Sequence, residues 1–166
     1  MSYPPEKYHG ESGEVSAVLK RHDDAPELTN MPSNDVHYLA TGDLTGGQFG
    51  LYRWTFGPKA SGPSPHFHRT ISESFYVLDG TVRLYNGDGW IDAVAGDFLY
   101  VPEGGIHGFR NESGEAASML ILFTPGAPRE EYFETLNHVA RHLREPLRGE
   151  ERTAFMLRHD TFWVDD

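Results

Sequence analysis

The chain has 166 residues, the usual length of one domain, and 25 Asp and Glu against 14 Lys and Arg give it a formal net charge of −11. It contains no cysteine, which excludes disulfides, zinc–thiolate and iron–sulfur sites, and thiol nucleophiles. So acidic a chain repels phosphate backbones, so nucleic acid is not an expected partner.

The chain carries no recognisable export or membrane segment. Residues 1–15 lack the apolar stretch with basic flanks that marks a secretory signal. The longest unbroken apolar run is Met119–Phe123, far shorter than the ~20 residues that span a membrane as a helix. With the absence of cysteine, this predicts a cytoplasmic protein that has no membrane partner.

Residues 1–35 are polar, and glycines and prolines are scattered through them. Apart from a brief apolar stretch at Val15–Leu19, they show neither a period of 2 nor one of 3.6. We interpret them as an N-terminal arm or lid with at most one strand.

Residues 36–124 have a β pattern throughout. Tyr52, Trp54 and Phe56 alternate with polar residues, and Asp79-Gly80 is a strong hairpin signal. The predicted strands are Val36–Thr41, Phe49–Phe56, Glu73–Leu78, Thr81–Tyr85, Trp90–Val94, Phe98–Val101, His107–Arg110 and Ser118–Phe123. Strands this closely spaced are typical of an all-β sandwich or barrel.

Residues 125–166 change to a helical pattern. From Pro128 to Arg144 the apolar residues recur at helical spacing, and Glu130 and Glu131 suit the positive end of the helix dipole. This predicts one amphipathic helix packed on the barrel, followed by a tail in which Ala154–Val164 forms a last strand or an arm.

Four side chains have the types and spacing of a metal site. His66 and His68 share one face if they lie in a strand, and Glu73 lies on the same strand face as two apolar residues. A carboxylate on a core-facing side is costly unless something binds it. With His107, which begins a later strand, three imidazoles and one carboxylate match the ligands of a divalent transition metal.

The order of these residues resembles the two sequence motifs of the cupin superfamily. The first motif is His-x-His, four residues, Glu, six residues, Gly, and it is met by His66, His68, Glu73 and Gly80. The second motif, Gly, five residues, Pro-x-Gly, two residues, His, three residues, Asn, is met at every position. Its members here are Gly96, Pro102, Gly104, His107 and Asn111. One position departs from the pattern, because Ala60 stands where the first motif usually opens with glycine.

This resemblance implies a double-stranded β-barrel of the jelly-roll type with a C-terminal amphipathic helix. It implies a cupin barrel over residues 36–124, a helix and tail over residues 125–166, and a homodimer. It further implies that His66, His68, Glu73 and His107 bind one divalent metal: Ni, Mn, Fe, Co, Cu or Zn. Glu73 would also act as a general base toward a bound small molecule. Candidates for the substrate pocket are Tyr52, Trp54, Phe56, Phe75 and Phe109.

Three functional classes remain open at this point. The first, supported by a less specific likeness to quercetinase-like flavonol dioxygenases, is an oxygenase that uses dioxygen on a flavonol, phenolic or enolic molecule. The second is a Lewis-acid enzyme such as a polyketide cyclase, isomerase or decarboxylase. The third is a small-molecule-binding cupin without turnover. An aromatic pocket favours a planar phenolic ligand over a small diacid, and Arg53, Arg83 or Arg110 inside the barrel would reverse that preference.

Overall fold

A computed structural model of the chain describes residues 2–29, 33–142 and 147–164. The strands are β1 (Asn34–Ala40), β2 (Gly50–Phe56), β3 (His66–Phe67), β4 (Ser72–Asp79), β5 (Thr81–Tyr85), β6 (Trp90–Val94), β7 (Phe98–Val101), β8 (Gly108–Arg110), β9 (Ala117–Thr124) and β10 (Phe162–Trp163). The helices are α1 (Arg129–His142) and α2 (Gly149–Arg158). Three predicted strands, β5, β6 and β7, have the predicted bounds, and the other predicted strands agree within two residues.

Two antiparallel sheets build the barrel. One sheet has the order β1-β2-β9-β4-β7. The other consists of β6-β5-β8 and β10-β3, which are linked where the backbones of His66 and His107 exchange two hydrogen bonds of 2.8 Å. The predicted all-β jelly roll is thereby confirmed.

The core follows from strict alternation along the central strands. In β2, Tyr52, Trp54 and Phe56 are buried and the residues between them are half-buried, and β9 repeats this pattern. Phe133 of α1 packs its ring edge-on against Tyr52 and Trp54, with centroids 5.3 and 5.4 Å apart. The helix therefore joins the barrel core through an aromatic cluster.

Gly80 makes the tight turn between β4 and β5. Its φ is +70°, and a Cβ there would lie 2.6 Å from the carbonyl oxygen of Ala116. Only glycine meets both requirements. The predicted hairpin is wrong, however, because β4 and β5 do not pair: the turn carries the chain from one sheet to the other.

The N-terminal arm contributes little ordered pairing in the part that the structure describes. Residues 2–25 are exposed, Val15–Leu19 forms no strand, and a single bridge joins Leu28 to Val36. A short apolar stretch with no neighbouring strand cannot satisfy its backbone groups as a sheet. No residue of 2–29 lines the principal cavity described below.

The C-terminal region departs from the sequence-based expectation. The first helix is α1, which begins one residue after Pro128; the last predicted positions, 143 and 144, lie outside the described residues. The prediction of a strand or arm over Ala154–Val164 is wrong for residues 154–158, which belong to α2. The buried residues of α2 are the adjacent pair Phe155 and Met156, so the helix has little periodic signal. Among the described residues, no helix is long and apolar enough to cross a membrane.

Candidate metal centre

Four buried side chains, carried on or directly beside three strands, meet inside the barrel. His66 lies on β3, His68 just beyond it, Glu73 on β4 and His107 immediately before β8. Each is between 1 and 4% exposed, and one nitrogen or oxygen from each lies within 4.8 Å of those of the others. The four residues that the sequence singles out therefore form one cluster whose members could hold a metal ion.

Glu73 lies at the centre of this cluster. Its Oε2 is 3.0 Å from Nε2 of His68 and 2.8 Å from Nε2 of His107. The ring centroids of His66 and His107 are 4.4 Å apart. The carboxylate thus comes from one sheet of the barrel and the imidazoles from the other.

Backbone carbonyls orient all three imidazole rings. The Nδ1–H of His66 donates to the carbonyl of Ser64, and that of His107 to the carbonyl of Gly105, both over 2.9 Å. The Nδ1–H of His68 donates to the carbonyl of Asp160. Because a carbonyl only accepts, Nδ1 carries the proton in each ring and Nε2 is left to face the cluster. This is the arrangement of metal-ligating histidines.

The electrostatics of the cluster are strongly coupled. Burial by itself would raise the pKa of Glu73, but the charge and hydrogen bonds of His107 and His68 outweigh it and hold that pKa well below its usual range. Burial, aided by the charge of His107, lowers the pKa of His66 to about 3. Burial opposes the charge of Glu73 at His107, and the carboxylate prevails and raises the pKa of His107.

The donor set fits a divalent transition metal. Since Nδ1 of His68 and His107 donates to a carbonyl, their unprotonated Nε2 atoms both face Glu73 Oε2 within 3.0 Å. Acceptor atoms this close require either a second proton on each ring or a cation that they share. Three neutral imidazoles and one carboxylate satisfy manganese, iron, cobalt, nickel, copper or zinc, so the donors do not select among them.

Asp160 connects the C-terminal segment to the cluster. Besides orienting His68 through its carbonyl, it accepts hydrogen bonds at Oδ2 from the backbone and hydroxyl of Thr70, over 2.8 and 2.7 Å. Its φ is +52°, a conformation that aspartate and asparagine tolerate better than other side chains. Asp160 is therefore a positioning residue for the His68 ring.

We expect Asp160→Ala to weaken divalent metal binding by roughly tenfold, because it removes the side-chain hydrogen bonds to Arg69 and Thr70 that hold the backbone carbonyl of residue 160 against the His68 ring. Asp160→Asn, which keeps an acceptor oxygen and tolerates the same backbone, is the matched variant and should lose less. Competition with a chromophoric chelator measures both dissociation constants. An unchanged constant in a folded Asp160→Ala protein would contradict the positioning role.

A cavity of about 350 Å³ opens onto the cluster. His66 and Glu73 line it, and so do Trp54 and Phe109 among the residues suggested for the pocket. The other three suggested residues, Tyr52, Phe56 and Phe75, do not line it and are at most 1% exposed. They share strand faces with the site, but a period of 2 gives the face of a residue and not its depth in the barrel.

Much of the cavity wall comes from residues that the strand pattern did not suggest. These are Arg129, Tyr132, Phe133, Leu136, Val139 and Ala140 of α1, Met156 of α2 and Trp163 of β10. The helical periodicity had identified most of the α1 set as a packing stripe, and nothing local indicated that this stripe faces a cavity. No signal in the sequence pointed to Met156 or Trp163.

The three arginines that would have changed the expected ligand lie outside the cavity lining. Arg53 donates to the carbonyl of His22, and Arg83 and Arg110 both pair with Glu112. A different arginine, Arg129, lines the cavity and is 4% exposed.

Comparison with known proteins finds the same family in sequence. The family model described as "Cupin domain" matches residues 52–123. A quercetin 2,3-dioxygenase of Bacillus subtilis (strain 168) is 32% identical over 129 residues, which cover 66% of this chain and 37% of that protein. An uncharacterized protein of Aquifex aeolicus (strain VF5) is 34% identical over 61 residues, covering 37% of this chain and 50% of that protein. The chain thus spans half or less of the length of these curated relatives.

Solved structures show the same barrel. A predicted oxalate decarboxylase from Thermotoga maritima superposes with a TM-score of 0.57 at 19% identity, covering 66% of this chain and 99% of that one. The polyketide cyclase RemF from Streptomyces resistomycificus gives a TM-score of 0.55 at 22% identity, covering 65% and 78%. At these identities the likeness concerns the fold alone. The domain match over the motif-bearing strands, the sequence relative and the shared barrel together show that the chain belongs to the cupin superfamily.

Proposed function

We propose that this cupin is a metal-dependent dioxygenase, similar to quercetinases, which acts on a flavonol, phenolic or enolic small molecule. The observation that carries the proposal is that His66 and Glu73 form part of the wall of a cavity that is otherwise mainly lined by aromatic and aliphatic side chains. The 32% identity to a quercetin 2,3-dioxygenase supports the same reaction class. The cavity volume of about 350 Å³ falls within the ~300–1,000 Å³ usual for small-molecule sites.

In this proposal Nε2 of His66, His68 and His107 and the carboxylate of Glu73 hold the metal. When bound there, a divalent metal supplies Lewis acidity toward a substrate hydroxyl and, if it is redox-active, a route for electrons to dioxygen. The chain itself supplies the fixed imidazoles, the carboxylate and a cavity that the two C-terminal helices partly wall.

Glu73 is the proposed proton acceptor. Its carboxylate forms part of the cavity wall, where it can take a proton from a bound substrate hydroxyl that the site has made acidic. The aromatic rings of Trp54, Phe109 and Phe133 line the same cavity and offer faces on which a planar ring can stack.

Oxygen uptake tests the proposal. Protein reconstituted separately with each candidate metal should consume dioxygen in step with loss of quercetin, and the reaction should stop under strict anaerobiosis. Turnover that continues without dioxygen would place the protein in the Lewis-acid class. Tight binding of quercetin with no reaction under either condition would favour a non-catalytic binding protein.

We further propose that the protein is a homodimer. Tyr76 of β4 and Phe98 and Tyr100 of the edge strand β7 are 42, 62 and 57% exposed, and Tyr76 pairs directly with Phe98. A cluster of exposed aromatic side chains beside an open sheet edge is a surface that a second copy can cover.

The double substitution Phe98→Glu and Tyr100→Glu should convert the dimer to a monomer, because two buried charges in each protomer would oppose association. Light scattering coupled to size exclusion measures the mass. Leu44→Glu, at an exposed apolar position in another part of the chain, should leave the mass unchanged. A monomeric wild type, or a double variant that remains dimeric, would contradict this proposal.

A further inference from the structure

Arg129 is a buried cation in the wall of the cavity. It is 4% exposed, and its Nη1 donates to the carbonyl of His159 over 2.8 Å. Its Nε is buried and has no hydrogen-bond partner among the described residues. The guanidinium carbon lies 4.2 Å from the ring centre of Tyr132 and 5.1 Å from that of Phe123, so aromatic faces surround much of the charge.

No described carboxylate neutralises this charge within 4.0 Å. Glu130, the next residue in the chain, accepts a hydrogen bond from the hydroxyl of Tyr52. Arg129 is also the first residue of α1, where the helix dipole disfavours a positive charge. A desolvated guanidinium in such a position is costly unless an anion joins it.

Two other donors in the cavity wall share this lack of partners. The indole Nε1–H groups of Trp54 and Trp163 are buried without a partner among the described residues, and both side chains line the cavity. Indole and guanidinium N–H groups donate and never accept. Among the described residues that line the cavity, the buried polar groups without a partner are therefore all donors, and acceptor oxygens of a ligand would complement them.

The donors are distributed along the cavity. The ring centre of Trp163 is 5.3 Å from that of His66, which places this indole beside the candidate metal ligands. Trp54 and Arg129 both lie close to Phe133, whose ring centre is 5.4 Å from the Trp54 ring and 5.6 Å from the guanidinium carbon. One ligand can thus meet the cluster with one group and Arg129 with another.

We infer that Arg129 binds a carboxylate of the preferred substrate, so that within the proposed substrate class the site favours a phenolic or enolic acid over a neutral flavonol. The inference rests on the proposed function in one respect, since it takes this cavity as the substrate site. The aromatic wall and the volume of about 350 Å³ suit a ring-bearing acid better than a small diacid.

Calorimetric titration of metal-free protein tests the inference with 3,4-dihydroxybenzoate and 3,4-dihydroxybenzamide at pH 7. The two probes have the same ring and hydroxyls and differ in the charge of one group. We expect the carboxylate to bind wild type about tenfold tighter or more, as charge-assisted hydrogen bonds allow. In Arg129→Gln the ratio of the two dissociation constants (benzamide to benzoate) should fall to near one. Arg129→Lys keeps the charge but loses the planar guanidinium, so its ratio should lie between those of the wild type and Arg129→Gln.

Arg110→Gln is the matched control, because this arginine pairs with Glu112 and stacks on Trp90 outside the cavity lining. It should keep the wild-type ratio. Circular dichroism establishes that each variant is folded, and the wild-type ratio tests the inference even if Arg129→Gln does not fold. A wild-type ratio near one, failure of both probes to bind, or a tenfold preference that persists in folded Arg129→Gln would overturn the inference.

The two proposals fail independently in these experiments. A carboxylate preference that depends on Arg129, together with no oxygen uptake on any substrate of either kind, would overturn the dioxygenase proposal and leave the acid-binding inference standing. Oxygen uptake with quercetin, together with equal binding of the two probes, would support the dioxygenase proposal and overturn the acid-binding inference.

Discussion

Glu73→Gln should reduce oxygen uptake by about a thousandfold or more while the chain keeps its fold. The amide has the same shape but removes the negative charge that lies 2.8 Å from Nε2 of His107 and 3.0 Å from Nε2 of His68. It can neither balance a divalent ion nor accept a proton as a carboxylate does, and loss of general-base function alone costs about 10²–10⁴-fold.

The measurement pairs initial rates of oxygen consumption with the metal content of the same sample, so that lost binding and lost proton transfer are distinguished. Full metal content with no activity would isolate the role of the carboxylate as base. Glu150→Gln is the control, because that glutamate is exposed in the first turn of α2. An active Glu73→Gln enzyme would refute the assigned role of this residue.

His107→Ala should remove the metal almost completely. The imidazole provides one of three inward Nε2 donors, and its Nδ1–H bond to Gly105 and its 1% exposure show that the ring is held rigidly. We expect about one divalent ion per chain in reconstituted wild type and less than a tenth of that in the variant, because two histidines and one carboxylate form an incomplete site.

Elemental analysis of protein purified without a histidine tag measures this directly. His138→Ala is the matched control, since that histidine is exposed on α1 and lies outside the cluster. His107→Asn, which leaves a smaller void, keeps the test meaningful if the alanine variant is unstable. Substoichiometric metal in both the native and the reconstituted wild type would count against the site itself.

The strands and the metal cluster could be predicted from local features. The alternating burial in β2 and β9 matches alternating apolar residues in the sequence, and the turn at residues 86–89 joins the paired strands β5 and β6. The Asp79-Gly80 turn, in contrast, joins strands of different sheets, which its local sequence does not indicate. Because a period of 2 also determines the inward face, His66, Glu73 and His107 could be assigned to the interior before any coordinates were known.

The C-terminal region was not predictable in the same way. The α2 helix buries only Phe155 and Met156, so its amphipathic signal is weak, and β10 is two residues long. Its pairing with β3, with Trp163 opposite His66, joins residues almost a hundred positions apart. Such a contact depends on how the whole chain folds, and the local hydrophobic pattern contains no signal for it.

The sequence by itself determined the class of fold, the strand order along the chain and the four candidate metal ligands, because these depend on residue spacing and on turn chemistry. Tertiary structure alone decided the shape and charge of the cavity. It brought α1, α2 and β10 over the barrel, buried Arg129 among aromatic rings and left Tyr52, Phe56 and Phe75 in the core. The reason is physical: alternation specifies which face a side chain is on, whereas its depth and its neighbours depend on the packing of segments that are distant in sequence.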